Sequence, residues 1–256
     1  MRTRKQKTTW VPTPTFLYRN YRYRRLIGSV DKDSYFLDVG PGNGDFVKYL
    51  VKKGFSGETI DISQKSIEDL KRDLGNNSNV VIKKDSIFTY KPKKKYDIIS
   101  AFEVLEHIKD DVGAIRRIYS LLTPGGRFLV SIPARMKEWT NIDVIKGHYR
   151  RYEKDELYKK LKSAGFRKIR IVDYGFPLLT ILRRISKQGK HIVTYTQGSD
   201  KQVRGMESGI QQEYPPFLRP IVTFPLFTYP LFFVMDLFVN SGLGFGFIAT
   251  AEKPNK

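Results

Sequence analysis

The stretch Phe36-Leu-Asp-Val-Gly-Pro-Gly-Asn-Gly44 limits the folds open to this chain more than any other. An apolar run from Tyr35 to Val39 reads as a strand and breaks into alternating glycines. From Asp45 to Lys53, Phe46, Val47, Leu50 and Val51 then recur at helical spacing. A strand that turns into a helix through glycines brings bare backbone close to a ligand. In an open α/β sheet this turn lies at the carboxyl ends of the strands, where ligands bind.

The same rhythm continues downstream. Glu58 to Ile62 reads as a strand, and Ser63 to Leu74 as a helix with Ser63 as its N-cap. Val80 to Lys84 and Tyr96 to Phe102 are strands on either side of a lysine-rich loop, Lys91 to Lys95. Asp110 to Leu122 is a helix stopped by Thr123-Pro-Gly-Gly126. Arg127 to Ile132 is a buried strand, Glu153 to Ala164 a helix and Lys168 to Asp173 another strand. Alternating strands and helices predict an α/β fold whose parallel sheet is covered on both faces. After Asp173 the rhythm fails for about seventy residues, and Phe245 to Ala251 reads as one last strand. The expected organisation is a basic aromatic arm over 1–33, a core over 34–174, an insertion over 175–244 and a final core strand with tail over 245–256.

The glycine spacing excludes two common nucleotide sites. Asp45 stands where a dinucleotide loop needs its third glycine, and no Gly-Lys-Ser/Thr follows. Asp38 and Asp45 flank the loop, which repels a pyrophosphate and attracts a ligand bearing ammonium and sulfonium groups. Asp61 ends the second strand, where it can accept hydrogen bonds from ribose hydroxyls. Asp85 ends the third and is placed for an exocyclic amine.

With these residues the chain resembles the class I S-adenosylmethionine-dependent methyltransferases. The resemblance rests on Leu37-Asp-Val-Gly-Pro-Gly-Asn-Gly44, Thr59-Ile-Asp-Ile-Ser63, Lys84-Asp-Ser86, Tyr96-Asp-Ile-Ile-Ser-Ala-Phe-Glu-Val-Leu-Glu-His-Ile108 and Leu122-Thr-Pro-Gly-Gly-Arg-Phe128. Their order follows the branch that includes quinone-biosynthesis methyltransferases, and it covers about 34–174 plus the terminal strand. It implies a Rossmann-like sheet, mostly parallel with the last strand antiparallel, and S-adenosyl-L-methionine as cofactor. On these positions it implies that Asp38, Gly40 and Gly42 line the methionine part, that Gly44 belongs to the cofactor-binding loop and that Asp61 holds the ribose. Ile62 would lie against the adenine, Asp85 and Ser86 at its edge, and Phe102 and Glu103 would close the site.

The acceptor side is read from the residues after the fifth strand. In Ile145-Lys-Gly-His-Tyr-Arg-Arg-Tyr152, His148 is the expected general base, because imidazole titrates near neutral pH. Arg150, Arg151 and Tyr152 are expected to bind a phosphate or carboxylate on the acceptor; the alternative is a loop whose arginines cap helices. Leu105-Glu-His-Ile reads as a helix start, with Glu106 favoured by the positive helix end and His107 as a packed histidine. No metal is expected, since the chain has no cysteine, and only three histidines without His-x-x-x-His spacing.

The net charge of +20 predicts attraction to a polyanion or, more blandly, reflects a basic proteome. The insertion joins Arg183, Arg184, Lys187 and Lys190 to an aromatic stretch with Phe217, Phe224, Phe227, Tyr229, Phe232, Phe233 and Phe238. That combination suits an anionic membrane surface or an apolar substrate tunnel; a lid or dimer interface is the alternative. Pro220 to Met235 is uncharged, but its prolines argue against a spanning helix, and no secretory signal is visible. The expected protein is cytoplasmic, peripheral at most to the inner face of the membrane. It methylates a hydroxyl of an amphipathic or anionic small molecule of lipid-linked, isoprenoid or glycan type. The competing readings are RNA or DNA methylation, disfavoured by Ala101-Phe-Glu-Val where an Asn/Asp-Pro-Pro-Tyr motif would stand, and a non-catalytic binder of lipid or nucleic acid.

Overall fold

A computed structural model describes residues 14–27, 30–31, 33–75, 79–181 and 225–255. Seven strands form one sheet: β1 Tyr35–Val39, β2 Ser56–Asp61, β3 Val80–Lys84, β4 Tyr96–Phe102, β5 Leu122–Pro133, β6 Arg167–Tyr174 and β7 Gly246–Glu252. Their order is β3-β2-β1-β4-β5-β7-β6. The first five pair in parallel, and β7 runs antiparallel between β5 and β6. The helices are α1 Pro14–Ile27, α2 Asp45–Lys52, α3 Gln64–Leu74, α4 Asp111–Leu121, α5 Asn141–Ile145, α6 Lys154–Ser163 and α7 Pro225–Asp236.

Alternate residues of the central strands feed two cores, as the pleat requires. Leu37, Ile99 and Val130 point to the face covered by α4 and α6, where Ile115, Leu157 and Phe166 are buried. Phe36, Ile98 and Leu129 point to the other face, with Phe46, Val47 and Leu50 of α2. Caps fix where the helices begin. Ser63 Oγ accepts the Ser66 amide at 3.3 Å before α3, and Asp110 accepts the Gly113 amide at 2.9 Å before α4.

Two elements differ from the expectation. The Thr123-Pro-Gly-Gly126 run does not leave the sheet, because β5 begins at Leu122. Gly125 donates to the Lys253 carbonyl at 2.9 Å and Gly126 accepts from the Lys253 amide at 2.8 Å, so the glycines sit beside the end of β7. The second is the basic arm, whose residues 14–27 form α1 and belong to the second core. Tyr18, Tyr23 and Ile27 are buried there, and the Tyr23 ring stacks on Phe102 at 3.6 Å.

Helix α7 lies against α1. Asp236 at its end accepts from Tyr18 Oη and Arg22 Nη1, each at 2.8 Å, and is also bonded by Arg25. Phe232 and Met235 are buried, whereas Phe233 and Leu237 are exposed. Among the described residues, no helix is long and apolar enough to cross a membrane. Residues 1–13, Arg183, Arg184, Lys187, Lys190, Phe217 and Phe224 lie outside the described residues, as does the side chain of Phe227.

Gly44 precedes α2 with φ at +73°, and a Cβ there would come within 2.3 Å of the buried Leu70 Cδ1. Gly44→Ala is therefore expected to destabilise the fold by about 1–3 kcal/mol through strain and overpacking. Chemical denaturation measures it.

Candidate active site

The turn after β1 is the floor of a cavity of about 570 Å³. Gly40 has φ +69°, donates to the Ile60 carbonyl at 2.9 Å and has no room for a Cβ, which would fall 2.6 Å from Val104. Gly42 has φ +56°, lines the cavity, and an added Cβ would meet nothing within 4 Å. Gly44, expected to contact the ligand, does not line the cavity; its role is the turn into α2.

The expected acidic residues gather along one wall. Asp38 is buried and receives a hydrogen bond from the Ser100 hydroxyl. Burial pushes its carboxyl up to about 7 despite that bond, and nearby Asp61 adds to the shift. Burial also raises Asp61, against the amide of Ser63 that donates to it at 2.8 Å. Asp85 accepts the Ser86 amide at 2.7 Å, and Asp85, Ser86 and the half-open Ile62 side chain all line the cavity.

Phe102 and Glu103 form the opposite side, and helix α1 supplies their partners. Glu103 has φ +59° and meets Arg19 at 2.6 Å and the Ser131 hydroxyl at 2.9 Å; Tyr23 shares that hydroxyl at 2.6 Å. Burial works to raise the Glu103 carboxyl, yet Arg19 and Ser131 hold it below the usual carboxylate range. Arg19, Asn20 and Tyr23 line the cavity, so α1 roofs the site. The only sign of this in the sequence is the mixture of aromatic and basic residues in the helix, without the partners that give it meaning.

Glu106, His107, Lys146 and His148 also line the cavity. Leu105–His107 is a single 3-10 turn rather than the start of a long helix. Glu106 is 0% exposed, and neither carboxylate oxygen has a hydrogen-bond partner. Burial and the neighbouring Glu103 push its carboxyl well above the usual range. Burial pushes His107 down to about 3, helped by His148 and Lys146. His148 Nδ1 lies 3.0 Å from Asp143 Oδ1. Asp143, which no motif or spacing in the sequence singles out, also receives two hydrogen bonds at 2.9 Å from Arg151 and the Thr140 amide at 2.8 Å. Burial works to raise Asp143, but His148 and Arg151 hold it well below the carboxylate range.

The three expected acceptor contacts point elsewhere. Arg150 and Tyr152 do not line the cavity. Both are drawn to Asp111 at the start of α4, at 2.6 Å and 2.8 Å, where Lys160 also binds at 2.6 Å. Tyr152 is fully buried in the core, and Arg151 is committed to Asp143. Arg19, Lys109 and Lys146 are the cationic side chains that line the cavity among the described residues.

Comparison with known proteins gives a consistent picture. The Methyltransferase domain family matches residues 18–171. A malonyl-[acyl-carrier protein] O-methyltransferase 1 of Ilyobacter polytropus is 32% identical over 97 residues, 37% of this chain and 36% of that protein. A ubiquinone biosynthesis O-methyltransferase of Nitrosospira multiformis is 32% identical over 108 residues, 41% of this chain and 43% of that one. The aligned part thus spans well under half of these two curated relatives. A phosphoethanolamine N-methyltransferase 2 of Haemonchus contortus, solved with S-adenosyl-L-methionine, shares the fold with a TM-score of 0.61 at 18% identity, over 92% of this chain and 52% of that one.

The folded chain holds the Asp38 proton to about pH 7, whereas an unfolded aspartate releases it near 4. The stability of the ligand-free protein contributed by this neutral carboxyl is full at low pH and lost as pH rises through 7. Asp38→Asn should therefore gain on the wild type between about pH 4 and 7, where the unfolded carboxyl has ionised and the folded one has not, by on the order of 1 kcal/mol per pH unit, and level off above that. Urea titrations at stepped pH give the difference.

Proposed function

The chain belongs to the Methyltransferase domain family, and we propose that it moves the methyl group of S-adenosylmethionine to an oxygen of a small amphipathic acceptor. The observation that carries this reading is one continuous cavity, lined both by the glycine loop, Asp38 and Asp61 and by Glu106, His107 and His148. Its volume falls within the range of about 300–1,000 Å³ usual for small-molecule sites.

The residues suit the cofactor. Gly42 leaves open the space a side chain would fill, so backbone is free to approach the methionine moiety. Asp38 and Asp61 offer carboxylates to a ligand with cationic groups and ribose hydroxyls, and Ile62 presents an apolar surface to a ring. Bound there, the cofactor supplies a methyl group on a positively charged sulfur. Glu103, fixed by Arg19 and Ser131, bounds the reacting end.

The acceptor enters under α1. Phe16, Tyr23 and Phe102 offer it an apolar wall, and Arg19 and Lys146 favour an acidic or anionic portion. Methylation of a hydroxyl needs its oxygen aligned and its proton removed or made more acidic. Glu106, His107 and His148 are gathered for that task, and Asp143 fixes the His148 ring. The O-methyltransferase names of the curated relatives support an oxygen acceptor. A lipid-linked or isoprenoid compound matches the amphipathic lining.

Calorimetry with S-adenosylmethionine and S-adenosylhomocysteine tests the cofactor end: Asp61→Ala should weaken both by about tenfold or more, the loss of roughly 1.4 kcal/mol or above. His148→Ala should keep that binding and lose transfer of labelled methyl to hydroxylated amphiphiles by about a hundredfold or more. Absence of binding by the wild type would remove the enzyme reading.

A further inference from the structure

Resting on the methyl-transfer reading, we propose that Glu106, His107 and His148 form a site for one divalent transition-series cation, which holds the acceptor's oxygen. Each of the three offers a donor atom, and the donors all lie within 4.8 Å of one another. One carboxylate and two imidazoles are a donor set used for catalytic zinc and for iron, with a coordination position left for substrate.

Glu106 is the first independent pointer. A carboxyl group with no solvent exposure and no hydrogen-bond partner on either oxygen is a costly arrangement. Neighbouring cations act on it only through space and give it no hydrogen bond. Arg19 is engaged by Glu103 at 2.6 Å, and Lys146, though it lines the same end, makes no hydrogen bond to the Glu106 oxygens. A cation between Glu106 and the imidazoles supplies the missing partner.

The histidines are prepared in the way ligating imidazoles are. His107 hydrogen-bonds the Gly147 backbone, while its buried Nδ1 has no partner. In His148, Asp143 occupies Nδ1, which leaves Nε2 for a ligand. A carboxylate behind a ligating imidazole orients the ring and strengthens it as a donor, and Asp143 is itself fixed by Arg151 and Thr140. The rings meet edge-on with centroids 4.7 Å apart. Donors about 2.1 Å from a tetrahedral cation are roughly 3.4 Å apart, so closure needs side-chain shifts of about 1 Å. The cluster contains no fourth protein ligand among the described residues. The open position faces the cavity, where a coordinated hydroxyl becomes more acidic. His148 then serves as a ligand.

The test is cation binding by the chelator-treated full chain, read by electron paramagnetic resonance with Mn²⁺ and by calorimetry with Zn²⁺. The wild type should take up one equivalent at micromolar concentration. Glu106→Gln and His107→Gln should each weaken it by about tenfold or more while still binding S-adenosylhomocysteine. A wild type that binds no stoichiometric cation, or variants that bind it equally well, would overturn the site. A variant-free readout covers the case of a misfolded mutant. Substoichiometric Mn²⁺ should broaden the imidazole signals of His107 and His148, and signals that stay sharp would refute the site. Cation binding without S-adenosylhomocysteine binding in the wild type would instead sink the methyl-transfer reading, and with it the acceptor role given to the cation.

Discussion

The chain winds outward from β1 in both directions, to β2 and β3 on one side and to β4 and β5 on the other. The connections therefore diverge at the carboxyl ends of β1 and β4 and leave a crevice that no side chain of the sheet can fill. The half of the site built from strand ends follows from that reversal. Asp38 on β1, Asp61 at the end of β2 and Phe102 at the end of β4 reach the crevice because the parallel register places these strand ends side by side. The left-handed glycines then let the backbone turn away without blocking the opening.

The half of the site built from strand ends is legible in the sequence. Asp38, Asp61 and Asp85 each stand in or just after a strand, and the loop glycines stand where a strand hands over to a helix, so the pattern is local. Helix α1 is not legible, because its basic residues mask an inward face whose partners are remote. Tyr23 needs Phe102, Arg19 needs Glu103, and Tyr18 and Arg22 need Asp236. The Gly-His-x-Arg-Arg-Tyr stretch misleads for the same reason. Its spacing suggests one acceptor-binding group, yet two distant carboxylates divide its residues. Asp143 takes His148 and Arg151, and Asp111 takes Arg150 and Tyr152. A triad assembled from a 3-10 turn and a loop far along the chain leaves no spacing signal.

Net charge reads differently once its location is known. The sequence carries an excess of 20 positive charges, which alone says nothing about fold. Within α1, Arg19, Arg22 and Arg25 each meet a carboxylate. Part of what resembles a polyanion-binding arm is internal electrostatics that fastens this helix to Glu103 beneath it and to α7 beside it. The Arg19 pair is a buried one, so its value lies less in net stability than in setting where the roof of the cavity sits.

The side chains of the loop that carries His148 reach two carboxylates, Asp143 on α5 and Asp111 on the sheet-covering helix α4. Neither contact borrows an atom from α1. Under the methyl-transfer reading the chain is thus modular across its own cavity, with the proposed chemistry anchored on one side and acceptor contacts supplied by a separate helix on the other. On that reading, residues such as Phe16 and Asn20, which line the cavity from α1, could change to fit a new acceptor while the groups proposed to react keep their geometry. On the same reading, a lineage built this way changes its acceptor more cheaply than its chemistry.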